Sequence, residues 1–237
     1  MTAPHPRLDE LIDTMEKLRA PGGCAWDREQ THASLVQYLT EETHELIEAI
    51  EAGDDAELVE ELGDVLYQVL FHADIAAEEG RFTLEDVAAH MTQKMVGRHP
   101  HVFGDGDVVA DTADAVASNW EVWKAQQKPE RTSVLDGIPQ GMPSLALSAK
   151  VLGRAEKVGV IVEPAGASAG DRADASTATT AADESELGRQ LLSIVAAARR
   201  DGLDAERALR GALRSVQDDI RAAESATSAG GAIPGAN

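Results

Sequence analysis

The chain has 237 residues, 43% hydrophobic and only 3% aromatic, and its 42 acidic side chains against 21 basic ones give a formal net charge of −21. That length holds one large domain or a domain with an appendage, and the near absence of alternating β-branched runs argues against a sheet. The acidic balance argues against duplex nucleic acid, which is gripped by clustered Lys and Arg.

Cys24 is the only cysteine, so no intramolecular disulfide can form and a reducing, cytoplasmic setting is expected. The opening residues lack the apolar core of a signal peptide, and no stretch is long enough to span a bilayer.

Leu8, Leu11, Ile12, Met15 and Leu18 recur at helical spacing and predict a first helix, which Pro21-Gly22-Gly23 stops. Cys24 to Thr31 reads as a loop, with Trp26 and Asp27 anchoring it and Asp27 a candidate cap. A second helix is predicted from about Ala33 to Ala52, burying Leu35, Leu39, Leu46 and Ile50. Gly53-Asp54-Asp55 turns the chain into a third, from about Ala56 to Glu79, burying Leu58, Leu62, Val65, Leu66 and Val69. Thr83 with Asp86 three residues on is a variant capping box and opens a fourth helix carrying Leu84, Val87, Met91 and Met95. Pro100 disfavours helical geometry at His99, so Arg98 to Phe103 reads as a loop. A fifth helix is predicted from about Thr112 to Gln127 and a sixth from about Pro143 to Lys157.

From Pro164 to Asp183 the composition turns to Ala, Gly, Ser, Thr and Asp without apolar periodicity, the signature of a disordered linker. Two further amphipathic helices follow within 184–224, broken near Gly202, and 225–237 reads as a disordered tail. The sequence Glu186-Leu-Gly-Arg189-Gln-Leu-Leu-Ser-Ile-Val195 repeats Glu61-Leu-Gly-Asp64-Val-Leu-Tyr-Gln-Val-Leu70 with Arg189 in place of Asp64. The segment 184–224 is thus read as a vestigial half-repeat that has lost its chemistry.

Between Arg28 and Arg81 there is no Lys or Arg, yet fifteen acidic side chains. Like charges crowded on one hairpin repel, and a cation relieves them. Within this run stand Glu41-Glu42-Thr43-His44-Glu45 and, farther on, Glu61-Leu62-Gly63-Asp64. At about 100° per residue, Glu42 and Glu45 lie about 60° apart, as do Glu61 and Asp64. Each pair flanks an apolar stripe, so packing the stripes together brings the four carboxylates to one seam. All-oxygen donors suit Mg²⁺ or Mn²⁺ better than zinc. The competing reading is a solvated acidic face, against which stand the pairing on successive helices and the missing basic partners.

These residues resemble the acid motif of the MazG nucleoside triphosphate pyrophosphohydrolases. Their flanks are similar too: Cys24-Ala-Trp26-Asp27-x-x-Gln30-Thr31 before, Arg98-His-Pro-His-Val-Phe103 after, and Asp136-Gly-Ile-Pro139 later. The resemblance covers 8–160 and implies an all-α helical-bundle domain that dimerises. It also implies Mg²⁺-dependent hydrolysis of nucleoside triphosphates to monophosphate and pyrophosphate, as clearance of aberrant or excess nucleotides. It makes Glu42, Glu45, Glu61 and Asp64 the metal ligands and Glu41 the residue that orients or deprotonates water. Lys94, Arg98, Trp120 and Lys124 match the nucleotide-contacting positions. One departure is Glu57, which stands where family members can carry a lysine.

Physically, Lys94, Arg98 and Lys124 can neutralise charge on a leaving pyrophosphate, and Trp120 offers either a surface for a base or a core contact. His99 and His101 fit loop packing or a substrate contact better than zinc, having no third histidine or cysteine nearby in sequence. Two rival expectations are a non-catalytic helical regulator that senses nucleotide or binds a partner, and a narrow-range dUTP or dCTP hydrolase.

Overall fold

The computed structural model describes residues 5–104, 110–127, 130–162 and 183–230. The linker read at 164–183 lies outside them except for Asp183, as does the tail beyond 230. Among the described residues every regular element is helical, and the chain divides into two units, 1–127 and 128–237.

In the first unit, Pro6 sets the first turn of α1 (Pro6–Arg19), since its missing N–H would have no helical partner there. The segment read as a loop contains one short helix, α2 (Ala25–Glu29), whose N-cap position is Cys24, without a side-chain cap, rather than Asp27. Asp27 is instead buried, and its carbonyl oxygen accepts from Arg19 Nη1 at 2.6 Å. Arg19 also donates to Asp74 at 2.5 Å and Glu78 at 2.7 Å, which ties α1 and α2 to α4 (Asp55–Glu78).

Gly53, at φ 76°, ends α3 (Val36–Ala52) in the left-handed conformation that glycine adopts without strain. Asp54 then caps α4, its Oδ1 accepting from the Ala56 and Glu57 N–H groups. With only those two residues between them, α3 and α4 fold back as a hairpin. The capping box of Thr83 and Asp86 opens α5 (Leu84–Gly97), where both halves of the box are present. Pro100 does break that helix, but it also starts one further turn, α6 (Pro100–Phe103), because its fixed φ suits a first helical position. The expected loop at 98–103 is therefore a helical corner. α7 (Ala113–Gln126) follows.

The core of this unit is Met15, Leu35, Leu70, Phe71 and Ile75, with Leu11, Ile12, Tyr38, Tyr67 and Leu84 packed on it. This corrects the expected burial of the hairpin. Leu62, Leu66, Val69 and Ile50 are exposed, while Gln68, Leu70, Phe71, Ala73, Ile75 and Ala76 are buried. α1 and α5 both pack on α4, and its C-terminal half is enclosed on most sides. An open stripe of Val59, Leu62, Leu66 and Val69 runs from its N-terminal half just past its middle. Val87 and Met91 of α5 are exposed too.

The second unit holds α8 (Ser144–Ala155), which runs into a 3₁₀ turn, α9 (Glu184–Arg200) and α10 (Ala205–Gly230). α8 packs with α9 and α10 around Leu152, Val195 and Ala196, so the sixth predicted helix belongs to this unit. α10 runs through residues 225–230, where the sequence predicts a tail. Upstream, Asp136 accepts from the Thr132 and Ser133 N–H groups and closes the Asp136-Gly137-Ile138 turn. Those bonds hold its carboxyl below the usual range.

The repeat keeps its register. Leu62, Leu66 and Val69 are exposed, and so are Leu187, Leu191 and Ile194 at the matching positions. Gln68, Leu70 and Phe71 are buried, and so are Ser193, Val195 and Ala196. Arg189, at the place of Asp64, is held by Glu186 at 2.7 Å and Ser185 Oγ at 2.9 Å.

Candidate active site

The hairpin brings the acid motifs together. One carboxylate oxygen from each of Glu42, Glu45 and Glu61 lies within 4.8 Å of the others, in an arrangement that could hold a metal ion. α3 supplies the first two and α4 the third. Burial and then the charges of Asp64, Glu45 and Glu61 push the Glu42 carboxyl above its ordinary range, and it also shares a hydrogen bond with Glu45. Glu61 is raised as well, by burial first, then by Glu45, Asp64, Glu60 and Glu57. Asp64 is half-buried on the same seam and acts on both glutamates. Glu41 is exposed, one residue before Glu42 on α3.

These features fit a hard divalent cation. Every donor is a carboxylate oxygen, the mutual repulsion calls for positive charge, and Glu61 Oε2 is shielded from solvent without a hydrogen-bond partner among the described residues. Glu57 and Glu60 add to the crowding; only the electrostatics of the folded hairpin singles them out from the other acids of the run.

Of the predicted nucleotide-contacting side chains, Arg98 and Trp120 come together where α7 meets the α5–α6 corner. Arg98 is buried, its guanidinium 5.6 Å from the centre of the Trp120 ring. Its Nε donates to Gln127 Oε1 at 2.9 Å, and the Gln127 amide nitrogen reaches back to the Lys94 carbonyl at 3.5 Å. Lys124 is half-buried on α7.

His99 donates from Nδ1 to the Met95 carbonyl at 2.6 Å and meets Trp120 edge-on, at 5.4 Å between centroids. His101 stacks on Trp123 at 5.2 Å. Packing between helices thus accounts for His99, whereas His101 Nδ1 is buried without a hydrogen-bond partner among the described residues. Gln127 and Trp123 were not singled out in the sequence; the i, i+3 spacing of Trp120 and Trp123 was the available sign for one, and nothing marked the other.

A family model described as the MazG nucleotide pyrophosphohydrolase domain matches residues 30–103, which include both acid motifs, Lys94 and Arg98. A Thermotoga maritima protein named nucleoside triphosphate pyrophosphohydrolase/pyrophosphatase MazG is 42% identical over 223 residues, spanning 92% of this chain and 85% of that protein. The Escherichia coli K12 nucleoside triphosphate pyrophosphohydrolase is 41% identical over 156 residues, 65% of this chain and 59% of its own length. Among solved structures, a mazG-related protein from Thermotoga maritima is 27% identical, with a TM-score of 0.42 over 49% of this chain and 97% of that one.

Proposed function

This chain belongs to the MazG nucleotide pyrophosphohydrolase family, and we propose that it hydrolyses nucleoside triphosphates to the monophosphate and pyrophosphate. The observation that carries the reading is the meeting of Glu42, Glu45 and Glu61 on an otherwise base-free hairpin.

With Asp64 they hold a divalent cation, Mg²⁺ by the chemistry of the donors, with Mn²⁺ as a substitute. When bound, the cation supplies the positive charge that lets a polyphosphate approach this hairpin and polarises its oxygens. Glu41 orients the attacking water and takes its proton. The water oxygen bonds to the α-phosphorus as the bond to the bridging oxygen breaks, and pyrophosphate leaves with that oxygen. Lys94, Arg98 and Lys124 neutralise charge on the departing group, and Trp120 lies beside the nucleotide.

The active form is a homodimer paired through the open stripe of α4. Supporting this, Val59, Leu62, Leu66 and Val69 line one face at helical spacing and remain exposed in the single chain. No helix among the described residues is long and apolar enough to cross a membrane, and the lone Cys24 suits a reducing cytoplasm. Within the 8–160 span of the family resemblance, the part in the first unit carries this chemistry, and 184–224 is a vestigial half-repeat without it.

Pyrophosphate release across a nucleotide panel, with Mg²⁺ and with chelator, tests the activity. A metal-dependent signal supports it, whereas nucleotide binding without release supports a regulator. Release from dUTP or dCTP alone supports a narrow-range hydrolase.

A further inference from the structure

We propose that Gln127 is a positioning residue that presents the free edge of the Arg98 guanidinium to a phosphate oxyanion. The inference rests on the hydrolase reading for the identity of the oxyanion, and on this structure alone for the anchoring.

A guanidinium offers five N–H donors and no acceptor. In Arg98 the Nε donor is taken by Gln127 Oε1 at 2.9 Å, and the flat face lies over Trp120. Its two terminal nitrogens meet no hydrogen-bond acceptor among the described residues. The residue is only 7% exposed, so a long side chain that usually samples many rotamers is confined on two sides. What remains is the fork of terminal N–H groups, the geometry that binds a phosphate through two parallel hydrogen bonds.

The anchor itself is built. A Cβ at residue 97 would collide with the Gln127 side-chain amide, so Gly97 makes the space through which Gln127 reaches Arg98. The same amide turns its nitrogen toward the Lys94 carbonyl. One side chain thus joins the end of α7 to two successive turns of α5. It lies beside two residues whose predicted task is gripping phosphate. Without the anchor, Arg98 would have to be ordered at the expense of binding energy each time a substrate arrives.

The test uses the full chain and three variants. Gln127→Met keeps the length of the side chain but removes the acceptor, Gln127→Glu keeps the acceptor, and Gly97→Ala displaces the amide from its place. Gln127→Met and Gly97→Ala are expected to raise KM for a triphosphate about three- to tenfold, the worth of one lost hydrogen bond, with kcat changed by less than about twofold. Gln127→Glu restores KM. The Arg98 Nε–H proton, followed by NMR without nucleotide, exchanges faster with solvent in Gln127→Met and is protected again in Gln127→Glu.

Wild-type KM in Gln127→Met, or a Gln127→Glu variant no better than Gln127→Met, overturns the proposal. If the wild-type chain releases no pyrophosphate from any triphosphate, the hydrolase reading fails instead. The exchange of Nε–H then decides the anchoring by itself: unchanged exchange in Gln127→Met refutes it.

Discussion

His32 and His72 face each other Nδ1 to Nδ1 at 2.7 Å, with their rings stacked at 5.0 Å. Arg81 contacts the other ring nitrogen of His32. A guanidinium can only donate, so His32 Nε2 is an acceptor and its proton sits on Nδ1. His32 therefore donates to His72, whose Nδ1 must be bare. The relay in which Arg81 donates to His32 and His32 to His72 joins the segment before α3 to the C-terminal half of α4, and it holds only while both rings are neutral.

Burial first, and then His32, lowers the His72 pKa from its ordinary 6.5. A histidine whose folded pKa is depressed lends stability that is present above the unfolded value and is lost as pH falls through the folded one. The melting temperature is therefore expected to drop as pH falls from about 7 toward 5, and His72→Gln should flatten that part of the profile. Thermal melts across that range check it. An equally steep fall in His72→Gln would assign the loss to other groups.

The acid cluster predicts an opposite effect of pH. Carboxyls raised by their neighbours, as in Glu42 and Glu61, favour the fold below their unfolded pKa, and that stability is lost as pH rises through the folded value. At neutral pH in chelator, Glu61→Gln should thus melt higher than wild type. Mg²⁺ should stabilise wild type and shift the variant less, since a ligand that binds only the folded state raises its stability. Glu42→Gln, Glu45→Gln, Glu61→Gln and Asp64→Asn should each lower turnover by about a hundredfold or more. Near-normal turnover of Asp64→Asn at saturating Mg²⁺ would remove it from the ligand set.

The open stripe of α4 predicts an oligomer. Leu62→Glu and Leu66→Glu put a charge at the middle of the proposed pairing face while touching neither core cluster. Sedimentation of the full chain should show dissociation, with the helical signal in circular dichroism retained. An unchanged mass for both variants would place the interface elsewhere.

How much of this was legible in the sequence depends on the element. The hairpin was, because Gly53-Asp54 can hardly do anything but turn, and the meeting of Glu42, Glu45 and Glu61 follows from spacing once two helices fold back, with Asp64 outside that group of three. The face that α4 buries was not. Its apolar residues run round most of the helix from Val59 to Ala76, and periodicity cannot say which of them meet α1 and α5. The helical corner at Pro100 shows the same limit: proline both ends one helix and suits the first turn of the next, and only packing decides. Gln127 carried no signal at all, since its role depends on the space beside Gly97.

The second unit has its own core, so its stability should be separable. Leu152→Ala removes one of its buried residues and should destabilise it by about 2–5 kcal/mol. Hydrogen exchange should quicken in α8, α9 and α10 while α3 and α4 stay protected, and pyrophosphate release should change by less than about twofold. Loss of turnover in a variant whose first unit remains protected would show that residues 128–237 contribute to catalysis.

In the proposed reaction water attacks the α-phosphorus, and hydrolysis in ¹⁸O-labelled water reports that step. With Mg²⁺ and a nucleoside triphosphate, mass spectrometry should find the label in the monophosphate and none in pyrophosphate. Label in pyrophosphate, or orthophosphate as the first product, would contradict the account.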